Sequence, residues 1–98
     1  MSKLDELRKQ IDAIDDRLVE LYLKRMELVG GIAEAKTDTN MAVNDSEREN
    51  AILYRLTNDL PEQMKLYVQE LYKTVFQTSK SYQATLMNTT SPSARKLD

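Results

Sequence analysis

One long helix governs what this chain can become, because its apolar stripe carries cations at positions that should be oily. Leu4, Leu7, Ile11, Ile14, Leu18 and Leu21 recur in steps of three and four, the spacing of one helical face. The next beat falls on Arg25; Leu28 and Ile32 resume the stripe, and Lys36 closes it beside Ala35. No proline precedes Pro61, and Gly30-Gly31 are the only glycines. The spacing therefore predicts a helix from Ser2 or Lys3 to Lys36, with Ser2 as its cap and Asp5 three residues on. A guanidinium on a buried stripe loses hydration worth several kcal/mol, about what an anion must return. Arg25 and Lys36 share a face about 16 Å apart along the axis, a gap suited to a small dianion. A polar residue that merely fixes the register of a coiled coil is the plainer explanation for Arg25 alone.

The glycine pair lowers helix propensity by roughly 1 kcal/mol per residue relative to alanine. The stripe keeps its phase through Ile32, so the pair marks close packing or room beside a ligand and not a break. At about 34 residues the helix is roughly 50 Å long, whereas a compact domain of this size is about 35 Å across. The helix overhangs its own domain, and a homodimer with interlocked helices is the simplest way to cover it.

Beyond the first helix the chain reads as all-α, with no strand signal. Residues 37–44 form a polar loop. Asp45 or Ser46 caps a second helix with a Ser46-x-x-Glu49 capping-box pattern, and Ile52, Leu53 and Leu56 give it an apolar face. Leu60-Pro61 ends it, and Pro61 suits the first turn of a third helix. That helix carries Met64, Tyr67, Val68, Leu71, Val75, Tyr82 and Leu86. One helical domain over residues 1–87 and a disordered tail over 88–98 are expected.

Composition excludes several chemistries. The 98 residues contain no Cys and no His, which removes thiol nucleophiles, imidazole acid–base catalysis, disulfides and the usual zinc sites. Any chemistry must come from Arg, Lys, carboxylates, amides and hydroxyls. A net charge of −2 disfavours nucleic acid as a partner. Asp12, Asp15, Asp16 and Glu20 do not converge as a hard-metal cage would; they read as a solvated face. No apolar run reaches membrane length and no signal-like segment opens the sequence, so a cytoplasmic protein is expected.

The polar positions form a wider pattern. Leu7-Arg8, Ile11-Asp12 and Ile14-Asp15 precede Arg25 and Ala35-Lys36; Val43-Asn44-Asp45, Arg48-Glu49, Ser79 and Gln83 follow. With these intervals, over roughly residues 4–87, the chain resembles the all-helical class of chorismate mutases. The resemblance implies a three-helix chain in an intertwined homodimer, and an isomerase that converts chorismate to prephenate by a [3,3] rearrangement without cofactor or metal. It implies that Arg25 and Arg8 clamp the substrate carboxylates and that Lys36 and Gln83 donate to the ether oxygen. Glu49 and the backbone near Asp45 would hold the ring hydroxyl, with Ser79 and Arg48 supporting the carboxylate end. Arg8 lies about 42 Å before Lys36 by helical rise, so it must come from the partner chain. Two other readings stand beside this one. An isochorismate-pyruvate lyase of the same fold would not be expected to keep Asp45 and Glu49. A non-catalytic helical dimerisation module leaves Arg25, Lys36, Ser79 and Gln83 unexplained.

Overall fold

A computed structural model describes residues 2–39 and 45–89, with side chains for 2–36 and 45–87. It contains three helices: α1 (Lys3–Thr39), α2 (Ser46–Thr57) and α3 (Glu62–Thr89). The expected all-α architecture holds. Helix α1 packs against α3, and α2 folds back onto α3.

The cap expected at the start of α1 is present: the Asp5 amide donates to Ser2 Oγ at 3.1 Å. The helix is unbroken through Gly30-Gly31 and continues to Thr39, three residues past the expected end at Lys36. Of the loop expected over 37–44, residues 37–39 are therefore helical, and 40–44 lie outside the described residues. Helix α2 is capped by Asp45, whose side chain accepts from the Arg48 amide at 3.0 Å. Ser46 is thus the first helical residue, and the expected Ser46–Glu49 capping box is not how this end is satisfied. The α2–α3 corner arises earlier than Leu60-Pro61. Helix α2 stops at Thr57, whose hydroxyl donates back to the Leu53 carbonyl at 2.6 Å. The Thr57 carbonyl then accepts from the Leu60 amide at 3.1 Å. Pro61 stands just before α3, and its carbonyl accepts from the Met64 amide at 2.9 Å. Helix α3 runs to Thr89, two residues into the expected tail; residues 90–98 lie outside the described residues.

The stripe that α1 presents to α3 is not the one the sequence marks most strongly. Val29 and Ala33, with Val75 and Phe76 of α3, are the buried apolar residues among those described. Leu28 and Ile32, one position back on the helix, remain exposed, as do Leu4, Leu7, Ile11, Ile14, Leu18 and Leu21; these eight expose between 44% and 70% of their surface. Small residues explain the choice. Ala33 is 1% exposed, and a Cβ built on Gly30 would lie 3.5 Å from Leu86 Cδ1 and 3.7 Å from Tyr82 Cε2. The 30/33 side of α1 therefore lets α3 approach closely, and the bulkier leucine–isoleucine stripe is left facing outward. A second link joins the pair: the Tyr22 hydroxyl and Thr78 Oγ1 are hydrogen-bonded.

The molecule is elongated, measuring 57 × 32 × 17 Å with a radius of gyration of 17.7 Å. A compact chain of this length would have a radius of gyration of about 13 Å. The first half of α1 projects beyond the helices it packs on, as its length required.

Candidate active site

Between the three helices lies an open cavity of about 420 Å³, within the range of small-molecule sites. From α1 it is lined by Arg25, Leu28, Val29, Ile32 and Lys36; from the start of α2 by Asp45, Arg48, Glu49 and Ile52; and from α3 by Phe76, Ser79, Lys80 and Gln83. Seven of the eight residues to which the resemblance assigns a role meet here. Arg8 does not: it is exposed on the projecting half of α1, about 26 Å along the axis from Arg25.

The reason Arg25 points inward can be traced bond by bond. Val75 is in α3, and its carbonyl accepts from Ser79 Oγ at 2.7 Å and from Thr78 Oγ1 at 3.1 Å. This back-bonding is common for Ser and Thr within helices. With its proton committed to Val75, Ser79 Oγ keeps lone pairs for α1 and accepts from Arg25 Nη1 at 2.6 Å. The Arg25 guanidinium also lies 5.9 Å from the centroid of the Tyr72 ring, within cation–π range. Tyr72 in turn meets Phe76 edge-to-face at 5.6 Å. Among the described residues no carboxylate forms a salt bridge with Arg25; its half-buried guanidinium is held by a hydroxyl and an aromatic face.

Gln83 lies one turn beyond Ser79 on the same face. Both are buried, Ser79 to 5% exposure and Gln83 to 7%, so the polar breaks in the α3 stripe turn inward. Gln83 Oε1 is buried without a hydrogen-bond partner among the described residues. Leaving such an atom unsatisfied costs about 1–3 kcal/mol, which singles it out as a place where a guest can be met. Glu49 is half-buried and forms an ion pair of 3.2 Å with Lys80.

The electrostatic sum is uneven. The lining holds four cations, Arg25, Lys36, Arg48 and Lys80, against two carboxylates, Asp45 and Glu49, a net of +2 on a chain whose own net charge is −2. Apolar side chains floor the cavity. The arrangement suits a small, partly apolar dianion. Among the described residues no group of three or more acidic side chains is placed to hold a metal ion. Asp12, Asp15, Asp16 and Glu20 are exposed, and Glu20 meets Arg17 at 3.6 Å.

The sequence profile of the family described as "Chorismate mutase type II" matches residues 7–84. The chain belongs to this family. Among curated relatives, a "Bifunctional chorismate mutase/prephenate dehydratase" of Buchnera aphidicola is 37% identical over 84 residues, covering 83% of this chain and 22% of that protein. The "Chorismate mutase" of Methanocaldococcus jannaschii is 39% identical over 56 residues, 57% of each chain. The "T-protein" of Haemophilus influenzae is 38% identical over 53 residues, covering 54% of this chain and 14% of that protein. The chain thus spans between about a seventh and a little over half the length of these relatives. No solved structure matches it.

Three residues of the cavity lining escaped the sequence reading: Val29, Phe76 and Lys80. Phe76 and Lys80 stand seven and three residues before Gln83, on one face with Ser79, so extending that face by a turn would have found them. Tyr72, the aromatic support for Arg25, continues the same face one turn further back.

Proposed function

We propose that the protein is a chorismate mutase that rearranges chorismate to prephenate in the biosynthesis of phenylalanine and tyrosine, with the α1–α2–α3 cavity as its site. The observation that carries this reading is the net +2 lining beside apolar side chains, with Arg25 held by Ser79, in a chain of the chorismate mutase type II family.

The reaction suits residues of this kind. In a [3,3] rearrangement one C–O bond breaks and one C–C bond forms within the same molecule; no group leaves and no proton has to move. The requirements are a folded substrate conformation and stabilisation of the negative charge that grows on the ether oxygen, which are positioning and fixed electrostatics. Arg25, aimed by Ser79 and Tyr72, presents a planar fork to a carboxylate. Lys36 and the Gln83 amide serve as donors toward the ether oxygen, since rotation of the amide exchanges its acceptor for its donor end. Glu49 accepts from the ring hydroxyl, beside the backbone at Asp45, and Arg48 supports the carboxylate end. The two acids in the lining favour the mutase over an isochorismate-pyruvate lyase.

The working form on this reading is a homodimer in which the projecting half of α1 lies across the partner. Its exposed leucine–isoleucine stripe would be covered there, and Arg8 would reach the partner's cavity as a second carboxylate clamp. A cytoplasmic setting belongs to this reading; no described helix of the chain is long and apolar enough to cross a membrane.

The test is ultraviolet detection of chorismate loss with identification of the product. Prephenate supports the reading. Pyruvate released from isochorismate, with chorismate untouched, replaces it with the lyase, and inertness toward both removes it.

A further inference from the structure

An acid in a cavity built for a dianion needs explanation, because like charges repel across a half-buried space more strongly than in water. Glu49 stands in that position, and the structure answers it with Lys80. The two side chains meet at 3.2 Å from different helices and are similarly enclosed, retaining 24% and 33% of their side-chain exposure. Both line the cavity. Lys80 also follows Ser79, the residue that holds Arg25, so neighbouring positions on α3 contact a charged group from α1 and one from α2.

We propose that Lys80 is a positioning residue that acts through Glu49: it holds the carboxylate against α3, ties the start of α2 to the site, and offsets a negative charge that would otherwise repel the substrate. This inference rests on the reading of the cavity as a chorismate site. It makes Glu49 tolerable in an anion pocket, so the acid can serve as an acceptor without excluding the substrate. Lys80 need not touch the substrate.

The test is a double-mutant cycle with Lys80→Met, Glu49→Gln and the pair, measured as kcat and KM for chorismate. Lys80→Met should lower kcat/KM about tenfold, the scale of one hydrogen bond to a charged group, with the larger share in KM. In the Glu49→Gln background the same substitution should change kcat/KM by less than about twofold, because the charge it restrains is gone. Lys80→Arg, which keeps the cation, should recover most of the loss and guards against a folding artefact. A Lys80→Met protein with unaltered kinetics overturns the proposal. So does an equal loss in both backgrounds, which would mean that Lys80 acts on the substrate or the fold directly. Wild-type protein inert toward chorismate removes the functional reading and this inference with it; wild-type turnover with an insensitive Lys80→Met removes the inference alone.

Discussion

Arg25 donates a hydrogen bond to Ser79 across the α1–α3 interface at 2.6 Å, and the Ser79 hydroxyl donates its own to the Val75 carbonyl at 2.7 Å. The hydroxyl is therefore locked as an acceptor, and the guanidinium it holds is directed into the cavity. Ser79→Ala removes this hold without emptying much volume. Hydrogen bonds to charged groups are worth about 1.5–3 kcal/mol, so the unfolding midpoint should fall, and with Arg25 no longer aimed kcat/KM for chorismate should fall at least about tenfold. Steady-state kinetics beside a thermal melt separate the two effects, and an unaltered kcat/KM would show that Tyr72 alone suffices to aim Arg25.

Lys36 faces the cavity from the end of α1. Removing one preorganised donor to a developing oxyanion costs about 10²–10³ in turnover. Lys36→Ala should lose at least that much, with its helical circular dichroism intact. Wild-type activity should persist in a chelator, since the proposed mechanism uses no metal. Full activity in Lys36→Ala removes Lys36 from the ether-oxygen site.

If Arg8 completes the partner's cavity, Arg8→Ala and Arg25→Ala should each be nearly inactive, and activity should return when they are unfolded together and refolded. A mixed dimer has one cavity with both arginines and one with neither. Random pairing makes about half the dimers mixed, so about a quarter of all cavities are whole, by two-fold symmetry. Verified heterodimers without recovered activity would count against a shared site.

Gln83 offers an amide, which donates to an ether oxygen without titrating. A carboxyl group donates only while protonated. Gln83→Glu should therefore work best in acid and lose turnover as the pH rises through the pKa of the new group; wild-type protein lacks that loss. Turnover against pH under saturating substrate reads this directly. A variant as active at pH 8 as at pH 5 would show that residue 83 does not meet the ether oxygen.

Gly30 tests the close approach of α1 to α3. An added Cβ would meet the movable end of Leu86 at an ordinary contact distance of 3.5 Å, while removing the entropic cost of a mid-helix glycine. Gly30→Ala should stabilise the fold by about 0.5–1 kcal/mol, seen as a higher denaturant midpoint. A lower midpoint would show that the helices cannot accommodate even a methyl group.

The sequence alone determined the helices and most of the polar set. Helix α1 was legible because a 3.6-residue stripe, a Ser2 cap and the absence of proline are local properties that propensity and periodicity record directly. Ser79 and Gln83 were legible through the spacing of the polar pattern that carries the family resemblance. Tertiary structure decided which stripe of α1 its own chain covers. Ala33 and Gly30 are small enough for α3 to approach, so Val29 and Ala33 are buried while Leu28 and Ile32 stay open. Hydrophobicity counts favour the larger residues and carry no information about closeness of approach. Tertiary structure likewise joined Lys80 to Glu49. A charge on a helix is solvated by default, and only the fold of α2 back onto α3 brings a carboxylate 31 residues earlier in the chain to within 3.2 Å of the ammonium.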